Sequence, residues 1–251
     1  MPTFVHGKGS KTYIDEFDLT DYFNAADATF TQDTGEVTSF GASSRAYIPG
    51  LASAALTIGG MWSADVDGSD EELEGLLANA VSPLTTVALP GGTIGNRAIM
   101  MQSDLTSYGI SSPLADIVTV SADFQCTTNG TTNLTYACQT GVQLTTGNSI
   151  AFGALGALAS VDNAVATTKG AFAILHVPAN TVAGGVTTIK VQHSADNSTW
   201  VDLIAFTTIA ATTKTSQIST TAATVNRYVR ATASTAGTSG AITFMVSLAR
   251  F

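Results

Sequence analysis

Charged side chains are scarce in this chain, at 12% of 251 residues against a usual share of about 25%. A soluble monomer ordinarily keeps more charge on its surface. A sparsely charged, Thr-rich chain with 45% hydrophobic residues suits a protein whose outside is largely covered by copies of itself. Long apolar runs are also missing. The longest, residues 149–161, is rich in Gly and Ala and shorter than the roughly 20 residues a membrane-spanning helix takes, so no membrane role is expected. No basic stretch followed by an apolar run opens the chain, so no export is expected. The two cysteines are Cys126 and Cys138. A disulfide between them would add roughly 3 kcal/mol; two reduced thiols is the reading that fits the absence of an export signal. The sequons at Asn129, Asn133 and Asn197 carry no weight on the same ground.

Catalytic signatures are absent too. The three histidines, His6, His176 and His193, are widely separated, whereas a metal site needs them to converge with Cys, Asp or Glu. No Gly-x-Ser-x-Gly elbow supports a hydrolase. The run from Asp65 to Asp70 resembles a calcium loop but fails in detail. With Asp65 as position 1, Asp70 stands where the loop needs Gly and Leu76 where it needs a bidentate Glu. Gly7-Lys8-Gly9-Ser10 lacks the upstream Gly of a phosphate loop, and residues 90–96 read as an inter-strand loop. No enzyme activity and no cofactor are expected.

What charge there is divides unevenly. Residues 1–138 carry 16 acidic and 4 basic side chains, a balance of −12; residues 139–251 carry 3 acidic and 6 basic, a balance of +3. Such a split suggests two modules with different surfaces. It argues against nucleic-acid binding by the first, because phosphate contacts need clustered Lys and Arg.

Almost everything reads as strand and turn. Residues 56–62, 97–102, 117–125, 171–177, 188–194, 200–206, 225–232 and 241–251 are β-branched or aromatic runs separated by Gly, Asn, Asp and Pro. In 117–125, Val118, Val120, Ala122 and Phe124 share one face, which predicts a strand buried on one side. One helix is predicted from Ser69, as an N-cap with Glu72 in a capping box. It is followed by an apolar stripe of Leu73, Leu76, Leu77 and Ala80 and is expected to cover a sheet. The expected domains are 1–140 and 169–251. Residues 141–168 serve as a linker or as the first strand of the second domain.

The N-terminal motifs are Phe4-Val-His-Gly-Lys8, Tyr13-Ile-Asp-Glu-Phe-Asp-Leu19, Tyr22-Phe-Asn24, Asp33-Thr-Gly-Glu-Val-Thr-Ser-Phe-Gly41, Tyr47-Ile-Pro-Gly-Leu51 and Leu56-Thr-Ile-Gly-Gly-Met-Trp62. Over roughly residues 1–126 their order and spacing resemble the tail tube (major tail) proteins of long-tailed bacteriophages. The resemblance implies a mainly β fold, a β-sandwich or barrel with one flanking helix. It also implies subunits that form rings, and rings that stack into a hollow tube through which the genome passes. Six copies per ring are expected, with three as the alternative if the second domain is a diverged copy of the first. Implied partners are other copies of the chain, other phage tail proteins, and double-stranded DNA that passes without specific binding. The implied location is the virion tail, assembled in the host cytoplasm.

A lumen that conducts DNA should repel phosphate, so Asp15, Glu16, Asp18, Asp33 and Glu36 are candidates for an acidic channel wall, or else simply solubilise an exterior. Residues 32–50 sit where a bridging loop between subunits would lie, with Asp33, Phe40, Arg45 and Tyr47 as its candidate contacts; a plain surface loop is the alternative. The second module, through Lys190–Trp200, Asn226–Thr232 and Ala241–Ala249, is similar to jelly-roll modules of the galactose-binding, discoidin-like type. This implies a C-terminal β-sandwich that decorates the tube and a glycan contact at Asp196, Asn197 and Trp200, although Trp200 and Tyr228 are expected in the core. Arg227 and Arg230 are expected on opposite sides of their strand. Two rival readings remain, a capsid decoration or head-fibre protein and a carbohydrate-binding module.

Overall fold

The computed structural model describes residues 6–41, 43–78, 81–89, 92–127 and 138–251; Asn129 and Asn133 lie outside them. Among the described residues the chain is mainly β, with one short helix and two antiparallel sheets. The strands are β1 (Lys11–Ile14), β2 (Phe17–Asp18), β3 (Phe23–Glu36) and β4 (Tyr47–Met61), then helix α1 (Ser69–Glu74). There follow β5 (Leu84–Leu89), β6 (Arg97–Ser111), β7 (Thr119–Cys126), β8 (Cys138–Gln143), β9 (Ser149–Ala151) and β10 (Val161–Asp162). The chain ends with β11 (Ala171–Asn180), β12 (Thr187–Ser194), β13 (Val201–Ala205), β14 (Thr215–Thr221), β15 (Tyr228–Thr235) and β16 (Ala241–Arg250). Each of the eight segments read as strand falls on one of these.

The large sheet runs β14-β11-β16-β8-β6-β5-β1-β2, and β10-β15-β12-β13 form a separate four-stranded sheet. Strand β6 serves two ladders. Its first half pairs with β5 and β8, and its second half pairs with β7, which continues to β4 and β3. A register shift between Leu105 and Ser107 marks the bulge that lets one strand turn between ladders. Strand β8 lies between β6 and β16, so the backbone hydrogen bonding is continuous from the first half of the chain into the second. The segment 141–168 contributes the end of β8, then β9 against β16 and β10 against β15.

The large sheet curls until its ends meet. At the closure, His176 on β11 reaches the Asp15 carbonyl oxygen (2.6 Å) and the Thr86 hydroxyl (2.8 Å), and the Ser216 hydroxyl donates to the Asp15 carboxylate (3.1 Å). The cylinder's interior holds Leu84, Ala98, Met100, Phe172, Ile174 and Ala249, with Tyr13, Ala88 and Met245 beside them. Both halves of the chain therefore line one core. Outside it lie two more. Ile14, Leu19, Leu56, Ile58, Leu73, Val87, Met101, Val120 and Phe124 pack in the first half. Leu175, Val177, Ile189, Val191, Val229, Phe244, Val246 and Leu248 fill a β-sandwich in the second. Strand β11 is buried on both faces, with Phe172, Ile174 and His176 toward the cylinder and Ala173, Leu175 and Val177 toward the sandwich. That double burial is why its sequence is a continuous apolar run rather than an alternating one. Phe172, Ile174, Leu175 and Val177 each contribute about 1.5–3 kcal/mol of burial.

The helix departs from its expected form. Its N-cap is Gly68, in extended conformation, not Ser69. The Ser69 hydroxyl is buried, donating to the Met61 carbonyl oxygen (3.0 Å) and accepting from the Ser63 amide (2.9 Å), so it ties the helix to the end of β4 instead of capping a free amide. The α-helix stops at Glu74, and residues 75–78 tighten into a 3₁₀ turn. The stripe divides accordingly: Leu73 is buried and Leu76 partly so, Leu77 is exposed, and Ala80 lies outside the described residues.

Candidate assembly interface

Strands β3 and β4 form a ladder far longer than the body they grow from. Their pairing runs from Phe23 opposite Gly60 to Glu36 opposite Tyr47. The turn beyond is held by the Val37 amide on the Ala46 carbonyl oxygen (2.8 Å) and the Ala46 amide on the Thr38 hydroxyl (3.0 Å). Residues 32–50, expected as a loop, are thus mostly hairpin. Their backbone groups satisfy one another across the pair, which needs no apolar alternation in the side chains. Beyond residue 28 every described side chain out to Ser53 is solvent-exposed, so this part of the ladder projects as an arm. It presents Phe30, Val37, Phe40, Tyr47, Ile48 and Leu51; Phe40 is fully exposed and Leu51 is 83% exposed. The outer edge of β3 pairs with no strand among the described residues. Near the middle, a bulge at Asp33 brings its backbone and Cβ against Gly50, where a Cβ would meet them at 3.1–3.2 Å, so glycine permits the close approach there.

Exposed apolar side chains also stand at the other end of the same sheet. Met61 pairs with Thr119 and Ile110 with Val120; both are exposed, as are Leu114 and Ile117 in the β6–β7 turn. The molecule therefore carries an apolar arm at one end of this sheet and an apolar turn at the opposite end. Exposed clusters of this kind mark interaction surfaces.

The four residues predicted for a bridging segment, Asp33, Phe40, Arg45 and Tyr47, all lie on the arm and are exposed. Arg45 is 3.9 Å from Glu36. The five candidate wall carboxylates are dispersed. Asp15 adopts φ 47° in the β1–β2 turn, and its carboxylate accepts from the Leu84 amide (2.9 Å) and from Ser216. Burial raises its pKa despite those bonds. Asp18 is exposed and accepts from the Thr20 hydroxyl and amide. Asp33 and Glu36 project with the arm. Glu16 lies near Glu72, on which Asp67 and Glu71 also act. Burial first, and then these three charges, push the Glu72 carboxyl up to about 7, opposed by Lys214. Lys214 bonds Asp67 at 2.5 Å and sits 5.3 Å from the centre of the Phe17 ring.

In the second module the turn 194–199 closes on itself. The Asp196 carboxylate accepts from the Ser194 and Thr199 hydroxyls and the Ser198 and Thr199 amides, which hold it far below the usual carboxylate range. Asn197 takes φ 59°. Neither Trp200 nor Tyr228 is in the core as expected. The Arg230 guanidinium lies 4.0 Å from the Trp200 ring centre, and the Arg227 guanidinium 5.0 Å from that of Tyr228. Arg227 precedes β15 and bonds Asp162 through two nitrogens (2.7 and 2.6 Å), holding that carboxyl at about 2.

The histidines do not converge. His6 is exposed and accepts the Lys8 amide, and His193 accepts the Asn226 amide. Among the described residues no group of three His, Cys, Asp or Glu side chains is placed to hold a metal ion, and no helix is long and apolar enough to cross a membrane. The side chain of Cys138 lies outside the described residues. His176 sits in the closure, stacked 5.6 Å from Tyr13. A carbonyl oxygen only accepts, so Nδ1 carries the proton toward Asp15 and Nε2 accepts from Thr86.

Burial lowers the pKa of His176 from 6.5 to about 4, against the opposing bond to Asp15. The unfolded chain takes up that proton first. Stability is therefore full above about pH 6.5 and falls by about 3 kcal/mol as pH drops through 4. Glu72 acts in the opposite sense. Its folded pKa is raised from 4.5 to about 7, so its contribution is complete below 4.5 and lost as pH rises through 7. Denaturant titrations across this range will show the acid limb flattened in His176→Gln and the neutral limb flattened in Glu72→Gln.

No family model matches the chain, and no curated protein matches it. Solved structures similar to it include a chain from the virion of a native gene transfer agent particle (18% identity, TM-score 0.43), with 50% of this chain and 95% of that chain covered. Another comes from the tail of an empty gene transfer agent particle with C6 symmetry (19% identity, TM-score 0.41; 50% and 96% covered).

Proposed function

We propose that this protein is a virion structural subunit that assembles with copies of itself into stacked rings, forming the tail tube of a phage-like particle. The observation that carries this reading is the arm. A two-stranded hairpin with both faces in water is marginal on its own, and this one exposes large apolar side chains along its length. It becomes stable when a neighbouring copy covers it or extends the open edge of β3. The apolar turn around Leu114 and Ile117, at the far end of the sheet, supplies a surface for the arm of the next copy. A contact between two different ends of one molecule propagates rather than closing as a dimer. Six copies per ring is the arrangement we favour, and three the alternative. The acidic excess of the first half suits a bore that lets DNA pass without holding it. The rings join other tail proteins, and the tube is built in the host cytoplasm and carried in the virion.

Sedimentation of the purified chain over a range of concentrations, followed by negative-stain imaging, tests the reading. Annular or tubular particles with a central hole are expected. Isolated trimers would favour a decoration protein, and monomers at every concentration would overturn self-assembly.

A further inference from the structure

On one side of the cylinder, where β6, β8 and β16 run together, a cavity of about 110 Å³ is lined by Arg97, Thr140, Val142, Asn163, Leu248 and Arg250. The ladder explains the grouping. Val142 pairs with Arg97 on one side and Leu248 on the other, so both arginines reach the groove between the two outer cores. Arg250 donates to the Val165 carbonyl oxygen (2.9 Å) and the Asn163 carbonyl oxygen (3.5 Å). Among the described residues neither arginine has a carboxylate within ion-pair distance. Two guanidinium groups in one polar groove, in a chain of net charge −9, are built for an anionic partner.

The surface around α1 carries the complementary charge. There β2 and β14 close the sheet, and the surface around α1 gathers Glu16, Asp67, Glu71 and Glu72, with Lys214 as the nearby cation. In the strand order, β8 is as far from this closure as the cylinder allows. Among the described residues no ion pair joins these positive and negative surfaces within one subunit. They meet when copies stand side by side in the same orientation, the heterologous contact that generates rings.

We propose that the Arg97/Arg250 groove of each subunit receives the carboxylates around α1 of the adjacent copy, making the lateral contact of the ring. This rests on the self-assembly reading above and names the surface within it. The groove supplies further cations to crowded carboxylates that have Lys214 beside them, and the contact weakens with salt because its charges lie near the surface.

The test is a reciprocal charge exchange in the full chain. Arg97→Glu alters a side chain with no ion pair among the described residues, and Glu71→Arg alters an exposed one. Circular dichroism and the melting temperature confirm that each variant is folded. Each alone is expected to need about tenfold or more higher concentration to assemble, because like charges then face each other. An equimolar mixture is expected to recover wild-type assembly, because every junction again joins opposite charges. Folded variants that assemble like wild type, or a mixture no better than its components, would overturn this contact and leave tube assembly standing. So would binding of inorganic phosphate in the groove with no effect of Arg97→Glu on assembly. A wild-type chain that never assembles would overturn the tube reading itself.

Discussion

Replacing residues 33–51 with Asn-Gly yields a folded protein that no longer assembles. Gln32 and Ala52 face each other in the ladder, so a two-residue turn between them forms a short hairpin with strand twist preserved. The core keeps every buried residue, because each described side chain removed is exposed. The melting temperature of the monomer is therefore expected to stay within a few degrees of wild type. The full chain assembles and the shortened one sediments as a single copy at every concentration. The effect is all-or-none because the deletion removes five of the six large apolar side chains of the arm, leaving Phe30. A shortened chain that still formed rings would reduce the arm to an ornament and leave the lateral contact to hold the assembly.

Gly141→Val produces a large loss of stability. A Cβ at Gly141 falls well inside van der Waals contact with the Leu248 carbonyl oxygen and 2.5 Å from Met100 Sδ. Methionine can give way, but the carbonyl belongs to the neighbouring backbone of β16, so β8 and β16 must part. That ladder carries the sheet from one half of the chain to the other. Overpacking of this kind costs about 3 kcal/mol, which for a chain of this size lowers the melting temperature by about 10 °C. Wild type is expected to melt in one calorimetric transition because the two halves share the cylinder core, and the variant is expected to melt in two. An unchanged single transition would show that the halves do not depend on this junction.

Where one face of a strand is buried, the sequence carried its own evidence. Val120, Ala122 and Phe124 alternate with polar neighbours and lie in the first core as expected. In the second half β12 and β15 alternate in the same way, whereas β11, buried on both faces, was legible as a continuous apolar run. The arm was not, because Thr31, Gln32, Thr34 and Gly35 face water on both sides and nothing selects an alternating pattern. Ser69 followed by Glu72 reads as a capping box, but only the fold reveals that β4 ends where its hydroxyl finds the Met61 carbonyl. The closure is the least legible feature. His176 meets Asp15 and Thr86 through sheet curvature, and Arg97 meets Arg250 through the insertion of β8. No local signal encodes either encounter.

Cryo-electron microscopy of the native assembly, at a resolution that traces the backbone, shows directly whether the arm is covered by a neighbouring copy. Density for residues 29–53 is expected to lie against another copy, with the large side chains of the arm covered. An assembly in which the arm stands free in solvent, touching no neighbour, would contradict it.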